Sequence, residues 1–150
     1  MKLGIISDTH GDVESAQRGI AELQQHQVDL IIHCGDIGSP EIIPLFNAIP
    51  THFVFGNIDH HSEPLRAAIE LHEQTCCGRF GTLELEGKQI AFLHSDDASL
   101  FNKTTTNGEY DLVCYGHTHK AKLHSEGKTL VLNPGAMYRT NQYSVAVVVL

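Results

Sequence analysis

The chain has 150 residues, 41% of them hydrophobic, enough for one ordinary core that needs neither disulfides nor a structural metal, so a single domain over residues 1–150 is expected. Eighteen acidic residues against ten basic ones give a formal net charge of −8, which excludes the clustered Lys and Arg surface that nucleic acid or an anionic membrane demands. No apolar run is long enough to span a bilayer, Met1-Lys2 leads straight into a short strand rather than a leader, and the four cysteines have no C-x-x-C spacing. These features point to a cytoplasmic protein with reduced thiols.

Leu3 to Ser7 reads as a buried strand followed by the polar loop Asp8-Thr9-His10-Gly11-Asp12. Asp12 is placed to cap a helix from Val13 to about Gln25, whose apolar positions Val13, Ala16, Ile20 and Leu23 recur at helical spacing. Leu30 to Cys34 is the second strand and stops at Gly35-Asp36. Pro40 opens a short helix to about Ala48, and Thr51 to Phe55 is the third strand, ending at Gly56-Asn57. A helix from about Glu63 to His72 follows. The pattern then changes to a period of two: Phe80 to Leu85 and Gln89 to Leu93 form a hairpin about Glu86-Gly87-Lys88. Ser95 to Asn107 is expected to hold a short helix and a loop. Asp111 to Tyr115 is a strand, Lys120 to His124 and Thr129 to Leu132 a second hairpin, and Tyr143 to Leu150 the last strand. A β-α-β half followed by a β-rich half makes, most simply, two packed sheets with helices on the outer faces.

Five strand-like runs end in potential ligands: Asp8 and His10, Asp36, Asn57, His94, and His117 with His119. Open α/β sheets place their chemistry at the carboxyl ends of strands, and Asp36 is the candidate centre. An isolated Asp-x-His is usually a turn beside a surface histidine, and a Gly-Asp after a strand is commonplace. Two imidazoles at i and i+2 behind Gly116 are more telling, because they suit a tight ligand-bearing loop. His33 is read as core or as support for a ligand, Asp59 as a loop-shaping carboxylate, Asp12 as a helix cap, and His26, His52, His72 and His124 as structural. Cys34, beside the proposed centre, is the thiol to check for reactivity.

The set Asp8-x-His10, Gly35-Asp36, Gly56-Asn57-x-Asp59, His94 and Gly116-His117-Thr118-His119 resembles, in order and spacing, the calcineurin-like metallophosphoesterases. Asn133-Pro134-Gly135-Ala136 echoes the Asn-Pro-Gly-Ser of the small capless bacterial and archaeal phosphodiesterases of that superfamily. The resemblance implies an α/β fold, a four-layer α/β-β/α sandwich with two packed mixed sheets flanked by helices. It implies two divalent transition-metal ions, manganese first, with nickel, iron, zinc or cobalt as alternatives. Asp8, His10, Asp36 and His119 would hold one ion, and Asp36, Asn57, His94 and His117 the other. Asp36, Asn57 and His94 are also the residues that would serve catalysis. The implied reaction is hydrolysis of a small-molecule phosphodiester by a hydroxide that the metal pair activates.

Three departures qualify the resemblance. Ile58 stands where many relatives have a histidine that protonates the leaving group, which leaves His60 or His61 as displaced substitutes. Ser95-Asp96-Asp97 follows His94 where relatives have Gly, and puts Asp96 beside the site. The chain also ends in Val147-Val148-Val149-Leu150 without a further hairpin strand, so a homodimer covering that edge is expected. Arg66, Arg79 and Arg139 are isolated positive features, and Arg139 is the one expected to reach the site. Two other readings remain: a protein-binding scaffold of weak or no activity, as in the retromer subunit that resembles this fold, and a phosphomonoesterase or nucleotide pyrophosphohydrolase.

Overall fold

A computed structural model describes residues 1–150. Five strands form the first sheet: β1 (Lys2–Ile6), β2 (Leu30–His33), β3 (Thr51–Phe53), β4 (Thr75–Cys76) and β10 (Ala146–Val149). The second contains β5 (Phe80–Leu85), β6 (Lys88–Leu93), β7 (Leu112–Tyr115), β8 (Lys122–Glu126) and β9 (Thr129–Asn133). Their orders are β10-β1-β2-β3-β4 and β5-β6-β7-β9-β8. In the first sheet β1 to β4 run parallel, with only β10 reversed. In the second, β6, β7 and β9 are parallel, with β5 and β8 antiparallel at the edges.

The period of two sorts each strand into two cores. Leu3 and Ile5 of β1, Leu30 and Ile32 of β2 and Val54 just after β3 face the second sheet. There they meet Ile90 and Phe92 of β6, Leu112 and Cys114 of β7 and Leu132 of β9. Ile6 and Ile31 point the other way, onto α1 (Val13–Gln25), a 3₁₀ helix (Pro40–Phe46) and α2 (Ser62–Leu71). On the far side of the second sheet Ala91, Leu93, Val113 and Tyr115 pack on Leu100 and Phe101 of α3 (Ala98–Thr106). Helix, sheet, sheet, helix: this is the four-layer sandwich expected. Each fully buried Ile, Leu or Phe in these layers contributes ~1.5–3 kcal/mol.

The helix starts follow local chemistry. Asp12 accepts from Ser15 N (3.0 Å) to cap α1, and Asp97 accepts from Leu100 N (3.0 Å) to cap α3. Pro44 inside the Pro40–Phe46 helix removes a donor from a continued ladder, which accounts for a 3₁₀ helix there rather than an α-helix. Most of the expected Ser95 to Asn107 helix and loop is helix, and the two-residue β4 appears where no strand was expected. β10 covers only the latter part of the predicted Tyr143 to Leu150 run; it lies antiparallel to β1 as an edge strand of the first sheet. The longest helix has 13 residues, and none is long and apolar enough to cross a membrane.

Candidate metal centre

Parallel strands send their carboxyl ends to one edge, and the two sheets do so together. Asp8 and His10 follow β1, Asp36 follows β2, Asn57 follows β3, His94 follows β6, and His117 and His119 follow β7. Asp8, His10, Asp36, His117 and His119 all have positive φ, between 47° and 75°. Backbone in that region is unusual for residues with side chains and persists where surrounding structure enforces it, as at functional sites. Glycines allow the loops to touch. A Cβ on Gly56 would lie 2.1 Å from Asp36 Oδ1, and one on Gly116 would lie 2.0 Å from Ser7 Oγ.

The side chains fall into two groups that share one pocket: Asp8, His10 and His119, and Asp36, His94 and His117, with the ligand atoms of each group within 4.8 Å of one another. Asp8 Oδ1 lies 3.2 Å from His119 Nε2, 3.7 Å from His10 Nε2 and 3.8 Å from His94 Nε2. Asp36 Oδ2 lies 3.1 Å from His94 Nε2 and 3.3 Å from His10 Nε2, so Asp36 stands between the groups. Asn57 Oδ1 is 3.1 Å from His117 Nδ1. The structure therefore brings all seven sequence-predicted ligands into one place.

The outward-facing atoms of these side chains are already engaged. Asp8 Oδ2 accepts from Ser7 Oγ (2.6 Å) and from His117 N (3.1 Å), and Asp36 Oδ1 accepts from Ile58 N (3.1 Å). His94 Nδ1 is 2.8 Å from the Cys34 carbonyl, which can only accept, so Nδ1 carries the hydrogen and Nε2 presents a lone pair inward. His119 Nδ1 is similarly turned to the Arg139 carbonyl at 3.4 Å. By contrast Asp8 Oδ1, His10 Nε2 and His94 Nε2 are buried without any hydrogen-bond partner. Buried polar atoms are normally satisfied, and orphans in both groups, Asp8 and His10 in one and His94 in the other, are what bound cations would complete. Burial alone would raise the Asp36 carboxyl, yet the His10 and His94 imidazoles hold it well below the usual carboxylate range. Burial would lower His10; Asp36 and Asp8 instead raise it to about 9. The pocket thus favours positive charge, and its oxygen and nitrogen donors fit divalent transition metals.

The supporting residues have defined places. Thr9 Oγ1 donates to the Ile37 carbonyl (3.0 Å), so it accepts from His33 Nε2 (3.0 Å), while His33 Nδ1 accepts from Gly35 N (3.2 Å). Burial keeps that imidazole neutral, pushed down to about 3, and it ties the Asp8 loop to the Asp36 loop. Asp59 accepts from the backbone N–H of Ile37, Gly38 and Gly56 at 2.9–3.0 Å, tying the Asp36 and Asn57 loops together. Asn133 Nδ2 donates to the Gly116 carbonyl (3.2 Å) and Thr118 Oγ1 (3.0 Å), shaping the His117-Thr118-His119 loop.

Other candidates stand apart. His60 and His61 are exposed at the start of α2 with ring centroids 4.6 Å apart, and neither hydrogen-bonds to the seven. Asp96 forms an ion pair with Arg79, which also donates to the Gly56 carbonyl at 3.3 Å. The sequence marks Arg79 only as an isolated charge; the acidic pair after His94 is the one local signal for its partner. The Arg139 guanidinium lies over Tyr138, 5.2 Å from its centroid, and the Tyr138 ring stacks on His10 at 4.5 Å. No sequence motif flags Tyr138, because it meets His10 only through the fold. Cys34 and Cys114 are free and buried, and burial raises both thiols far above their ordinary range, so neither presents a reactive thiolate.

The calcineurin-like phosphoesterase superfamily domain matches residues 1–150. The chain belongs to that superfamily. It is 30% identical over 138 residues, 90% of its own length and 83% of the relative's, to Phosphodiesterase MJ0936 of Methanocaldococcus jannaschii. Its fold matches the solved structure of an archaeal phosphodiesterase with a TM-score of 0.90 at 28% identity, covering 99% of this chain and 93% of that one. A Vps29 structure from Entamoeba histolytica shares the fold alone, with a TM-score of 0.73 at 17% identity over 100% of this chain and 86% of that one. As a metallophosphoesterase, the chain has a donor set that fits the divalent ions of its family.

Proposed function

We propose that the chain is a metal-dependent phosphodiesterase acting on small organic phosphodiesters, with Asp8, His10, Asp36 and His119 holding one divalent transition-metal ion and Asp36, Asn57, His94 and His117 the other. The observation that carries this reading is that buried, unpartnered Asp8 Oδ1, His10 Nε2 and His94 Nε2, drawn from two adjacent ligand groups, gather about Asp36. Manganese is the first metal to test, followed by nickel, zinc, iron and cobalt, all compatible with mixed oxygen and nitrogen donors. When bound, such a pair supplies a nucleophile at neutral pH and neutralises charge that builds on the phosphate.

The chain's own residues explain the preference for diesters. The Cys34 carbonyl keeps His94 Nε2 turned inward, and Ser7 with His117 N keeps Asp8 Oδ1 turned inward. Asn57, neutral and exposed at the rim, can serve an ion through its oxygen and a phosphate oxygen through its amide without adding repulsion. Ile58 has no proton to give, so leaving groups that depart as stable anions suit the site. Arg79 is neutralised by Asp96 and donates to the Gly56 carbonyl, so it is not free to clamp a dianionic monoester. Similarity to Phosphodiesterase MJ0936 supports the same choice.

The test is hydrolysis of bis-p-nitrophenyl phosphate by metal-stripped protein with manganese, nickel, zinc or magnesium restored singly, beside p-nitrophenyl phosphate. Metal-restored diester turnover that disappears in Asp36→Asn, with the fold intact by circular dichroism, is the expected outcome. Faster monoester turnover would overturn the substrate class, and two bound metals without turnover would turn the reading to a scaffold. Pairing of two chains along the open β10 edge belongs to the same proposal, and a monomer mass by light scattering would refute it.

A further inference from the structure

Beside the metal centre, and sharing His119 with it, lies an open cleft of about 800 Å³ between the residues after β7 and those that follow Asn133-Pro134-Gly135. Its composition is unlike the rest of the molecule. The protein carries eighteen acidic and ten basic residues, yet the cleft wall holds Lys120 and Arg139 and not one carboxylate. Neither cation has an acidic partner: the ion pairs of the structure involve Arg18, Arg79 and Lys88, the chain terminus and histidines. Ala121 is the only hydrophobic residue in the wall, and the side-chain amides of Asn141 and Gln142, both exposed, make no internal hydrogen bond. A volume of this size suits a ligand arm the size of a nucleoside or a sugar phosphate. A polar wall does not suit a lipid tail.

The placement gives the cleft its role. His119 is a wall residue of the cleft and, through Nε2, lies 3.2 Å from Asp8 Oδ1 in the metal centre. Arg139 sets the cleft and the centre at a fixed spacing, because its carbonyl receives His119 Nδ1 while its guanidinium lies on Tyr138, whose ring stacks on His10. A diester bound with its phosphate at the metal centre has two arms, and one of them can extend along this wall. We propose that the cleft receives the non-reacting arm of the substrate, and that this arm is hydroxylated and carries a second anionic group, carboxylate or phosphate, held by Lys120 and Arg139. Asn141 and Gln142 then meet its hydroxyls. The proposal rests on the phosphodiesterase reading above and narrows its substrate class.

The test compares matched p-nitrophenyl diesters with the manganese-loaded protein. One pair is p-nitrophenyl butyl phosphate and p-nitrophenyl carboxypropyl phosphate. The other is thymidine p-nitrophenyl phosphate with and without a second phosphate on the far ribose hydroxyl. A charge-assisted contact that forms only with the charged arm predicts a kcat/KM about tenfold higher for the charged member of at least one pair. Which pair shows it tells carboxylate from phosphate. In Lys120→Ala/Arg139→Ala the ratio should fall to about one, and because a ratio is read, any loss common to both substrates cancels. Independently of turnover, titrating the metal-free protein with thymidine monophosphate, but not with thymidine, should shift the backbone amide resonances of Asn141 and Gln142. Equal rates within both pairs, or a preference that survives the double variant, would overturn the cleft assignment and leave the phosphodiesterase reading standing. Absence of turnover for every diester would refute that reading instead, with the amide shifts still judging the cleft.

Discussion

Replacing Asp59 with Ala tests whether the site is held by the loops that carry it. Asp59 is 4% exposed; its Oδ2 accepts from Ile37 N (3.0 Å) and Gly56 N (2.9 Å), and its Oδ1 from Gly38 N (3.0 Å). Gly38 is exposed, so water can replace the lost acceptor there, but Ile37 and Gly56 are buried and their N–H groups would be orphaned. An unsatisfied buried donor costs ~1–3 kcal/mol, so two of them predict a loss of about 2–6 kcal/mol. With an m-value of roughly 2 kcal/mol/M in urea, the unfolding midpoint of the metal-free protein should fall by roughly 1–3 M. Because Ile37 follows Asp36 and Gly56 precedes Asn57, the variant should also bind metal about tenfold or more weakly by calorimetry. Asp59→Asn retains one acceptor oxygen but turns an N–H₂ toward a donor, so it should fall between wild type and Ala. A midpoint change under about 0.5 M in Asp59→Ala would refute the view that this carboxylate ties the two loops together.

Further outcomes follow from the same geometry. Gly116→Ala places a Cβ 2.0 Å from Ser7 Oγ and 2.7 Å from Asp8 Oδ2, so it should displace Asp8 and weaken metal binding about 10–100-fold; calorimetry showing unchanged affinity would contradict the close approach. Restoring metal to the stripped protein at a hundred times its dissociation constant should stabilise the fold by about 2.7 kcal/mol for each ion bound, reversed by chelator; a denaturation midpoint that ignores metal would speak against a site formed in the native state. In the native protein Cys34 and Cys114 should resist a thiol reagent until unfolding, while half-buried Cys76 and Cys77 react slowly, as read by peptide mass spectrometry. Labelled Cys34 in the folded protein would show that the pocket floor opens.

The sequence by itself determined what depends on local order. The runs Leu3 to Ser7, Leu30 to Cys34 and Asp111 to Tyr115 are mostly apolar, broken only by Ser7, His33 and Asp111, because both faces of a central strand are buried, so strands ending at Asp8, Asp36 and Gly116 could be read directly. Asp12 before an apolar 3.6-residue period marks α1, and the change to a period of two at Phe80 marks the second sheet. β4 was not legible, because two residues, Thr75 and Cys76, carry no periodicity and become a strand only by pairing with His52 and Phe53. Nor was the length of α3, whose Thr-rich stretch is helical through its Asp97 cap and its packing on the second sheet rather than through propensity.

Within the candidate site, the types and order of the residues that the fold gathers were legible, but their states were not. Only the fold sets the Cys34 carbonyl against His94 Nδ1, separated by 60 residues, and so turns Nε2 inward. Only the fold brings Arg79 to Asp96 and Gly56, lays Tyr138 on His10, and gathers Lys120 and Arg139 into a wall free of carboxylates on an acidic protein. The physical reason is range. Propensity, capping and hydrophobic period act over a few residues, whereas hydrogen-bond partners, burial and the charge facing a given side chain are set by segments that meet only when the two sheets pack.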